Sequence, residues 1–189
     1  MAVLPVKTIR DLSQELVARL ANIRFLLMDV DGVLTDGRIH LDDRGIETKS
    51  FSTRDGLGLF WVRQFGLKTG VISGRKSPAT LLRCQDLSMD EIHLGEMHKL
   101  PVFEDIVQRA KIPAAAIAFI GDDVIDIGLL QRAGVSATPM DAHPEVLSRV
   151  DIILDKPGGH GAVRHFLDLW LQATGRWDSA MQEITRGNF

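Results

Sequence analysis

Several features that mark whole classes of protein are scarce or missing in this chain of 189 residues. Its single cysteine, Cys84, cannot form an intramolecular disulfide. No apolar stretch approaches the roughly 20 residues that span a bilayer. Within residues 1–20, charged side chains such as Lys7 and Glu15 interrupt the apolar core that a signal peptide needs. We therefore expect a cytoplasmic protein that has no membrane partner.

The chain also lacks an excess of charge of one sign. Its formal net charge is −3 at pH 7, and its lysines and arginines are scattered rather than gathered in a run. Such a surface offers no electrostatic footprint for nucleic acid or for an anionic membrane. With 45% hydrophobic residues, the chain can bury one core, and we expect a single domain without a nucleic-acid partner.

Short apolar runs alternate with helical patterns along most of the chain. Buried strands are predicted at 23–28, 67–72, 116–120, 135–137 and, more faintly, 150–154. Helices are predicted at 12–21 and near 55–65, 78–86, 98–110, 123–132 and 143–149. This alternation indicates an α/β fold in which a Rossmann-like parallel sheet carries helices on both faces.

One segment breaks the alternation of strands and helices. Residues 37–41 and 46–51 are typical of two strands, and the sequence DDRG between them supplies turn residues. We predict an extruded β-hairpin at about 37–51. The predicted organisation is an N-terminal helical region at 1–22 that is part of the same domain, the main domain at 23–172, and a C-terminal tail at 173–189.

Carboxylates follow two of the predicted strands at their carboxyl ends, where open parallel sheets bind ligands. Asp29 comes directly after the first strand, Asp31 lies two residues later, and Gly32 lets the backbone approach a ligand. Asp122 follows the strand at 116–120. Hard oxygen ligands of this kind suit Mg²⁺ better than zinc. The sequence therefore predicts a Mg²⁺ site at this edge of the sheet.

Two further motifs carry groups that can hold a phosphoryl group. Ser73 and Gly74 end the strand at 67–72, where a hydroxyl and backbone amides can hydrogen-bond phosphate oxygens. Lys99 lies near the start of a predicted helix and can neutralise a phosphoryl group or a nucleophilic carboxylate. We expect these groups to meet Asp29 at one crevice.

Taken in chain order, the four motifs DVDG, Ser73, Lys99 and GDDVID resemble those of the haloacid dehalogenase superfamily. Three longer stretches, DVDGVLTDG at 29–37, TRDGLG at 53–58 and GGHGAVR at 158–164, resemble its small, nearly capless branch, the 3-deoxy-D-manno-octulosonate 8-phosphate phosphatases. The resemblance covers roughly residues 23–172. It implies a fold with no large cap domain, and a homotetramer in which the hairpins pack together across subunits.

The resemblance also implies a role for each polar group. Asp29 would be the nucleophile that forms an aspartyl-phosphate, and Asp31 would act first as general acid and then as general base. The implied Mg²⁺ ligands are Asp29, the backbone carbonyl of Asp31, and Asp122. Ser73 and Lys99 would bind phosphoryl oxygens. The candidates for binding the rest of a small phosphorylated sugar acid are Arg54, Gly74, Arg75 and Arg164.

Three functions remain open from the sequence. The first is hydrolysis of 3-deoxy-D-manno-octulosonate 8-phosphate in lipopolysaccharide precursor synthesis. The second is hydrolysis of another sugar acid phosphate, such as a sialic-acid-type 9-phosphate. The third is a non-catalytic tetramerisation module. The sequence argues against the third function, because a scaffold has no physical need for five converging polar groups. These groups are Asp29, Asp31, Ser73, Lys99 and Asp122.

Overall fold

The computed structural model describes residues 4–186. The outer ends of the predicted N-terminal region and tail, residues 1–3 and 187–189, lie outside the described residues. The strands are Phe25–Met28 (β1), His40–Leu41 (β2), Glu47–Thr48 (β3), Lys68–Ser73 (β4), Glu91–Leu94 (β5), Ile117–Ile120 (β6), Val135–Thr138 (β7) and Ile152–Ile153 (β8). The α-helices are Gln14–Ala21 (α1), Thr53–Gln64 (α2), Pro78–Asp86 (α3), Lys99–Ala110 (α4), Ile127–Arg132 (α5), Pro144–Leu147 (α6), Ala162–Ala173 (α7) and Trp177–Thr185 (α8).

Six parallel strands form one sheet in the order β5-β4-β1-β6-β7-β8. Strand β1 lies at the centre, where Met28 is opposite Val71 on one side and Ile120 on the other. Alternate side chains of β1 enter separate cores because successive residues of a strand point to opposite faces. Leu26 belongs to the core under α1, α2 and α7, and Leu27 to the core under α4 and α5. The predicted α/β class, with helices on both faces, is confirmed.

The predicted hairpin is present, with a shorter ladder than the sequence suggested. His40 pairs with Thr48 and Leu41 with Glu47 in an antiparallel pair. Gly45 occupies the turn with φ of +76°, and its amide donates a hydrogen bond of 3.0 Å to the carbonyl of Asp42. The hairpin lies outside the six-stranded sheet.

Three elements lie outside those that the sequence predicted. Strand β5 is half-buried at the sheet edge and carries Glu91 and His93, so it shows no continuous apolar run. Helix α7 buries a wide apolar face and lies beyond the last predicted helix, at 143–149. Helix α8 falls within the segment predicted as a tail, and it buries Ala180 against the core. None of the helices in residues 4–186 is long and apolar enough to cross a membrane.

Candidate active site

Asp29 and Asp31 lie on a tight turn that leaves the carboxyl end of β1. The amide of Asp29 donates a hydrogen bond of 2.9 Å to the carbonyl of Ile120, which continues the pairing of β1 with β6. The carbonyl of Val30 then accepts hydrogen bonds from three following amides at 2.9–3.2 Å, those of Val33, Leu34 and Thr35. Because the turn satisfies its own backbone groups, it holds both carboxylates at the centre of the sheet edge.

Two glycines let the backbone of this turn approach its neighbours closely. Gly32 has φ of +92°, and a Cβ placed on it would lie 2.0 Å from Oδ2 of Asp122. A Cβ on Gly158 would lie 1.9 Å from the carbonyl oxygen of Gly32. The glycine-rich stretch that begins at residue 158 therefore packs against the turn that carries Asp29 and Asp31.

Replacing Gly32 with alanine should destabilise the protein by roughly 2–4 kcal/mol, because positive φ and a clash with Asp122 act together. Gly45→Ala is a matched control, since Gly45 also has positive φ, at +76°, but nothing lies within 4 Å of its Cβ position. Urea unfolding of both variants would check this. Equal losses of unfolding free energy would show that the approach to Asp122 contributes nothing.

Three carboxylates and one ammonium group meet at the carboxyl edge of β1 and β6. One carboxylate oxygen each from Asp29, Asp122 and Asp126 lie within 4.8 Å of one another. The Lys99 side chain is fully buried, with Nζ 3.0 Å from Oδ1 of Asp29 and 2.7 Å from Oδ1 of Asp126. Oδ1 of Asp122 is buried and has no hydrogen-bond partner within residues 4–186. The cluster therefore has fewer positive than negative charges, and a divalent cation fits it.

Burial raises the pKa values of the acids in this cluster. It raises the pKa of Asp122 to about 8, with added repulsion from Asp29 and Asp126. Burial, with repulsion from Asp126, raises the pKa of Asp29 to about 6, although Lys99 opposes the shift. Burial by itself would lower the pKa of Lys99, but the charges of Asp29 and Asp126 outweigh it and the net pKa is raised. Lys99 therefore stays charged. The raised pKa values of the acids mean that binding of a cation or of a proton stabilises the cluster.

The metal-free protein should lose stability as the pH rises from about 4 to about 8. The pKa of Asp122 in the folded chain, about 8, is above its ordinary value of 3.8. Over that range the folded state binds more protons than the unfolded state, so raising the pH favours unfolding. Urea midpoints in EDTA at about pH 5 and about pH 8 would measure this, with Asp122→Asn flattening the dependence. An unchanged slope in that variant would contradict the assignment to Asp122.

Asp126 also belongs to the site, although it was not among the ligands expected from the sequence. Its side chain is buried, and its Oδ2 accepts a hydrogen bond of 3.1 Å from the amide of Asp122. Its Oδ1 accepts from Lys99. Asp126 thus orders the loop after β6 and orients Lys99. The third acid of the GDDVID motif was the available signal, but its burial depends on packing against α4.

Ser73 and Gly74 follow β4, which lies next to β1. The Ser73 side chain is buried, and its hydroxyl accepts a hydrogen bond of 3.4 Å from the amide of Arg75. The guanidinium of Arg75 lies beside Asp31, with Nε 3.6 Å from Oδ2 of Asp31. The structure therefore brings Ser73, Gly74 and Arg75 to the same edge of the sheet as Asp29.

Lys49 was also not selected from the sequence. Its buried ammonium forms an ion pair with Oδ1 of Asp31. Glu47, two residues earlier on the hairpin, pairs with Arg75 at 2.6 Å. The spacing of Glu47 and Lys49 is the signal in the sequence, since residues two apart in the strand predicted at 46–51 lie on one face. The hairpin therefore contributes charged groups to the site.

Arg54 and Arg164 lie apart from these groups in the single chain. They line a cavity of about 460 Å³ whose other lining residues include Lys7, His160 and His165 but none of the acids of the turn or the cluster. Arg164 donates a hydrogen bond of 2.7 Å to Asp168, and its guanidinium lies 4.5 Å from the Trp61 ring centroid. Of the three arginines proposed to bind substrate, the structure brings only Arg75 to Asp31.

Comparison with known proteins places this geometry in a family. Residues 79–167 match the model of the haloacid dehalogenase-like hydrolases. The 3-deoxy-D-manno-octulosonate 8-phosphate phosphatase of Escherichia coli strain K12 is 38% identical over 168 residues, which are 89% of each chain.

Two solved structures share the fold. The Moraxella catarrhalis 3-deoxy-D-manno-octulosonate 8-phosphate phosphatase, in complex with magnesium, phosphate and KDO, is 32% identical with a TM-score of 0.88, over 90% of this chain and 98% of that one. The cobalt-bound Haemophilus influenzae phosphatase is 40% identical with a TM-score of 0.81, over 84% and 93%. The resemblance seen in the motifs is thereby confirmed. The chain belongs to the haloacid dehalogenase-like hydrolases and, among them, to the 3-deoxy-D-manno-octulosonate 8-phosphate phosphatase family.

Proposed function

We propose that this chain uses Mg²⁺ to hydrolyse 3-deoxy-D-manno-octulosonate 8-phosphate to the free sugar acid and phosphate, in lipopolysaccharide precursor synthesis. The observation that carries the proposal is the buried cluster in which Asp29 and Asp122 share one edge of the sheet with Lys99. Support for the substrate comes from the Moraxella catarrhalis relative, whose structure holds magnesium, phosphate and KDO.

In the first half-reaction, an Asp29 carboxylate oxygen attacks the phosphorus atom. A bond forms between that oxygen and phosphorus, and the bond from phosphorus to the sugar oxygen breaks. Asp31, two residues along the same turn, donates its proton to the departing sugar oxygen. Lys99, 3.0 Å from Asp29, and Ser73, at the end of the neighbouring strand, hold phosphoryl oxygens in this geometry.

In the second half-reaction, Asp31 takes a proton from a water molecule as the water oxygen attacks the phosphorus of the aspartyl-phosphate. The bond between phosphorus and Asp29 breaks, so that inorganic phosphate and the Asp29 carboxylate are released. Asp31 thus ends the cycle with the proton that it needs for the next substrate. The same carboxylate serves both steps, because the turn after β1 holds Asp31 close to Asp29. The sugar oxygen leaves and the water oxygen attacks at the same phosphorus atom.

The residues that would hold Mg²⁺ are Asp29, Asp122 and the backbone carbonyl of Asp31. They fit the metal because the carboxylates are hard ligands, and because Oδ1 of Asp122 is buried without a hydrogen-bond partner within residues 4–186. When bound, the metal offsets the repulsion between a phosphate dianion and Asp29. Relatives bind either magnesium or cobalt, which is consistent with an oxygen-rich site.

The candidates for binding the sugar acid differ in their distance from the acids of the site. Arg75 is the candidate that its position supports, because it adjoins Asp31 and its side chain is 45% exposed. Gly74 precedes it and would offer its amide. Arg54 and Arg164 stay candidates from the family resemblance, in a different cavity of the single chain.

A homotetramer and a cytoplasmic location also stay predictions. Support for self-association comes from the hairpin, which exposes apolar side chains at Ile39, Leu41 and Ile46 with exposed fractions of 47%, 65% and 51%. Exposed apolar patches of this kind are common at interfaces between subunits. Sedimentation of the purified protein would measure the number of subunits.

Phosphate release with and without Mg²⁺ tests the proposal, using 3-deoxy-D-manno-octulosonate 8-phosphate, a sialic-acid-type 9-phosphate and glucose 6-phosphate. The proposed substrate should be hydrolysed fastest and only with the metal. Faster hydrolysis of the 9-phosphate would favour the second candidate. If the 8-phosphate reacted no faster than glucose 6-phosphate, the substrate assignment would fail. No release from any compound would favour a non-catalytic role.

A further inference from the structure

The side chain of Lys49 is fully buried, which is costly for an ammonium group unless it is paired. Lys49 follows β3 of the hairpin, outside the sheet that carries the acids. Its ion-pair partners are Oδ1 of Asp31 and, at 3.7 Å, Oε1 of Glu47. A buried lysine that reaches from the hairpin to the proton-transfer residue indicates a role at the site.

Four charged groups connect the hairpin with the sheet edge. Glu47 begins β3 and Lys49 follows that strand, and the Lys49 ammonium lies 3.7 Å from Oε1 of Glu47. Arg75, after β4, donates a hydrogen bond of 2.6 Å to Glu47, and its Nε lies 3.6 Å from Oδ2 of Asp31. Two carboxylates and two cations balance one another, and this balance permits the burial of the Lys49 ammonium among them.

The two oxygens of Asp31 have different surroundings. Oδ1 contacts Lys49, and the Thr35 hydroxyl donates to it at 3.4 Å. Oδ2 is buried and has no hydrogen-bond partner in the part of the chain that the structure describes. Contacts at Oδ1 fix the rotation of the carboxyl group. Nε of Arg75 lies 3.6 Å from Oδ2 but makes no hydrogen bond to it, so Oδ2 is left for proton exchange with a reacting oxygen.

We propose that Lys49 is a positioning residue that holds Asp31 so that Oδ2 can protonate the leaving oxygen of the substrate. This inference rests on the proposed phosphatase function. As the bond from phosphorus to the sugar oxygen breaks, the proton moves from Oδ2 of Asp31 to that oxygen, and Lys49 keeps its own protons. The hairpin is therefore part of the catalytic apparatus as well as a surface for self-association.

Two substrates with different leaving groups can show whether Lys49 positions Asp31 or only supports the fold. A sugar alkoxide needs a proton as it departs, whereas p-nitrophenolate is a stable anion that leaves without one. The value of kcat/KM reports the steps up to the first irreversible one, which here is departure of the leaving group. Loss of correct Asp31 orientation should therefore lower kcat/KM for the sugar phosphate and spare that for p-nitrophenyl phosphate.

Lys49→Met should lower kcat/KM for 3-deoxy-D-manno-octulosonate 8-phosphate by about 100-fold, a typical contribution of general acid catalysis. For p-nitrophenyl phosphate, the fall should stay below about threefold, since no proton transfer is lost in that reaction. Asp31→Asn should show the same selectivity to a larger degree. Lys68→Met, at an exposed lysine on β4, should change neither value.

Equal falls for the two substrates, or no fall for either, would overturn the positioning role. If Lys49→Met does not fold, Lys49→Arg answers the same question through the ratio of the two kcat/KM values, because guanidinium keeps the charge but changes the contact with Asp31. Failure of the proposed function has a separate signature, since the unmodified protein would then hydrolyse 3-deoxy-D-manno-octulosonate 8-phosphate no faster than glucose 6-phosphate.

Discussion

Replacing Asp29 with asparagine should lower phosphate release from 3-deoxy-D-manno-octulosonate 8-phosphate by at least about 10⁴-fold. The amide cannot form the acyl phosphate, so both half-reactions lose their covalent intermediate. Steady-state phosphate release in saturating Mg²⁺ would measure the loss. Asp43→Asn, in the exposed hairpin turn, removes the same charge away from the site and should retain activity.

The same Asp29 variant should be at least as stable as the unmodified protein when metal is absent. Burial and the charge of Asp126 raise the pKa of Asp29 to about 6, so its ionised form is disfavoured in the folded state. A neutral amide of nearly the same shape relieves that cost, although it weakens the contact with Lys99. Thermal unfolding in EDTA at about pH 8 would test this.

Loss of activity together with a clear loss of folding free energy would mean that Asp29 mainly supports the structure. Full activity in Asp29→Asn would exclude it as the nucleophile. Opposite effects on activity and stability are expected where a buried charge is kept for chemistry.

Replacing Lys99 with methionine should destabilise the metal-free protein by roughly 3–5 kcal/mol, the usual cost of breaking a buried ion pair. The change leaves Asp29 and Asp126 without the ammonium that lies 3.0 Å and 2.7 Å from them. Mg²⁺ should restore more stability to this variant than to the unmodified protein, because it then supplies the only cation of the cluster. Urea unfolding with and without Mg²⁺ would measure both effects.

A second substitution provides the control for Lys99. Asp126→Asn removes one acid, so the double variant of Lys99→Met with Asp126→Asn keeps the net charge of the cluster. It should be more stable than Lys99→Met alone, and the double-mutant cycle would yield the coupling energy. If Asp126→Asn instead lowers the free energy of unfolding by the same amount with and without Lys99→Met, the Lys99 ammonium does not compensate the charge of Asp126.

Part of this architecture could be predicted because it is encoded locally. Strands β1 and β6 are buried on both faces, so they appear in the sequence as continuous apolar runs. Asp29 and Asp122 follow those strands directly, and parallel strands end at one edge of a sheet. By contrast, β5 lies at the sheet edge with half-buried polar residues, and its sequence carries no such run.

The sequence by itself determined the fold class, the family and the placement of the acids at the ends of strands. Tertiary structure alone decided which other groups meet them. Lys99 reaches Asp126 across 27 residues, and Lys49 reaches Asp31 across 18. The tertiary structure also places Arg75 beside Asp31, whereas Arg54 and Arg164 line another cavity. The physical reason is that strand ends follow from local hydrophobic pattern, whereas pairing of a buried charge depends on how distant elements pack.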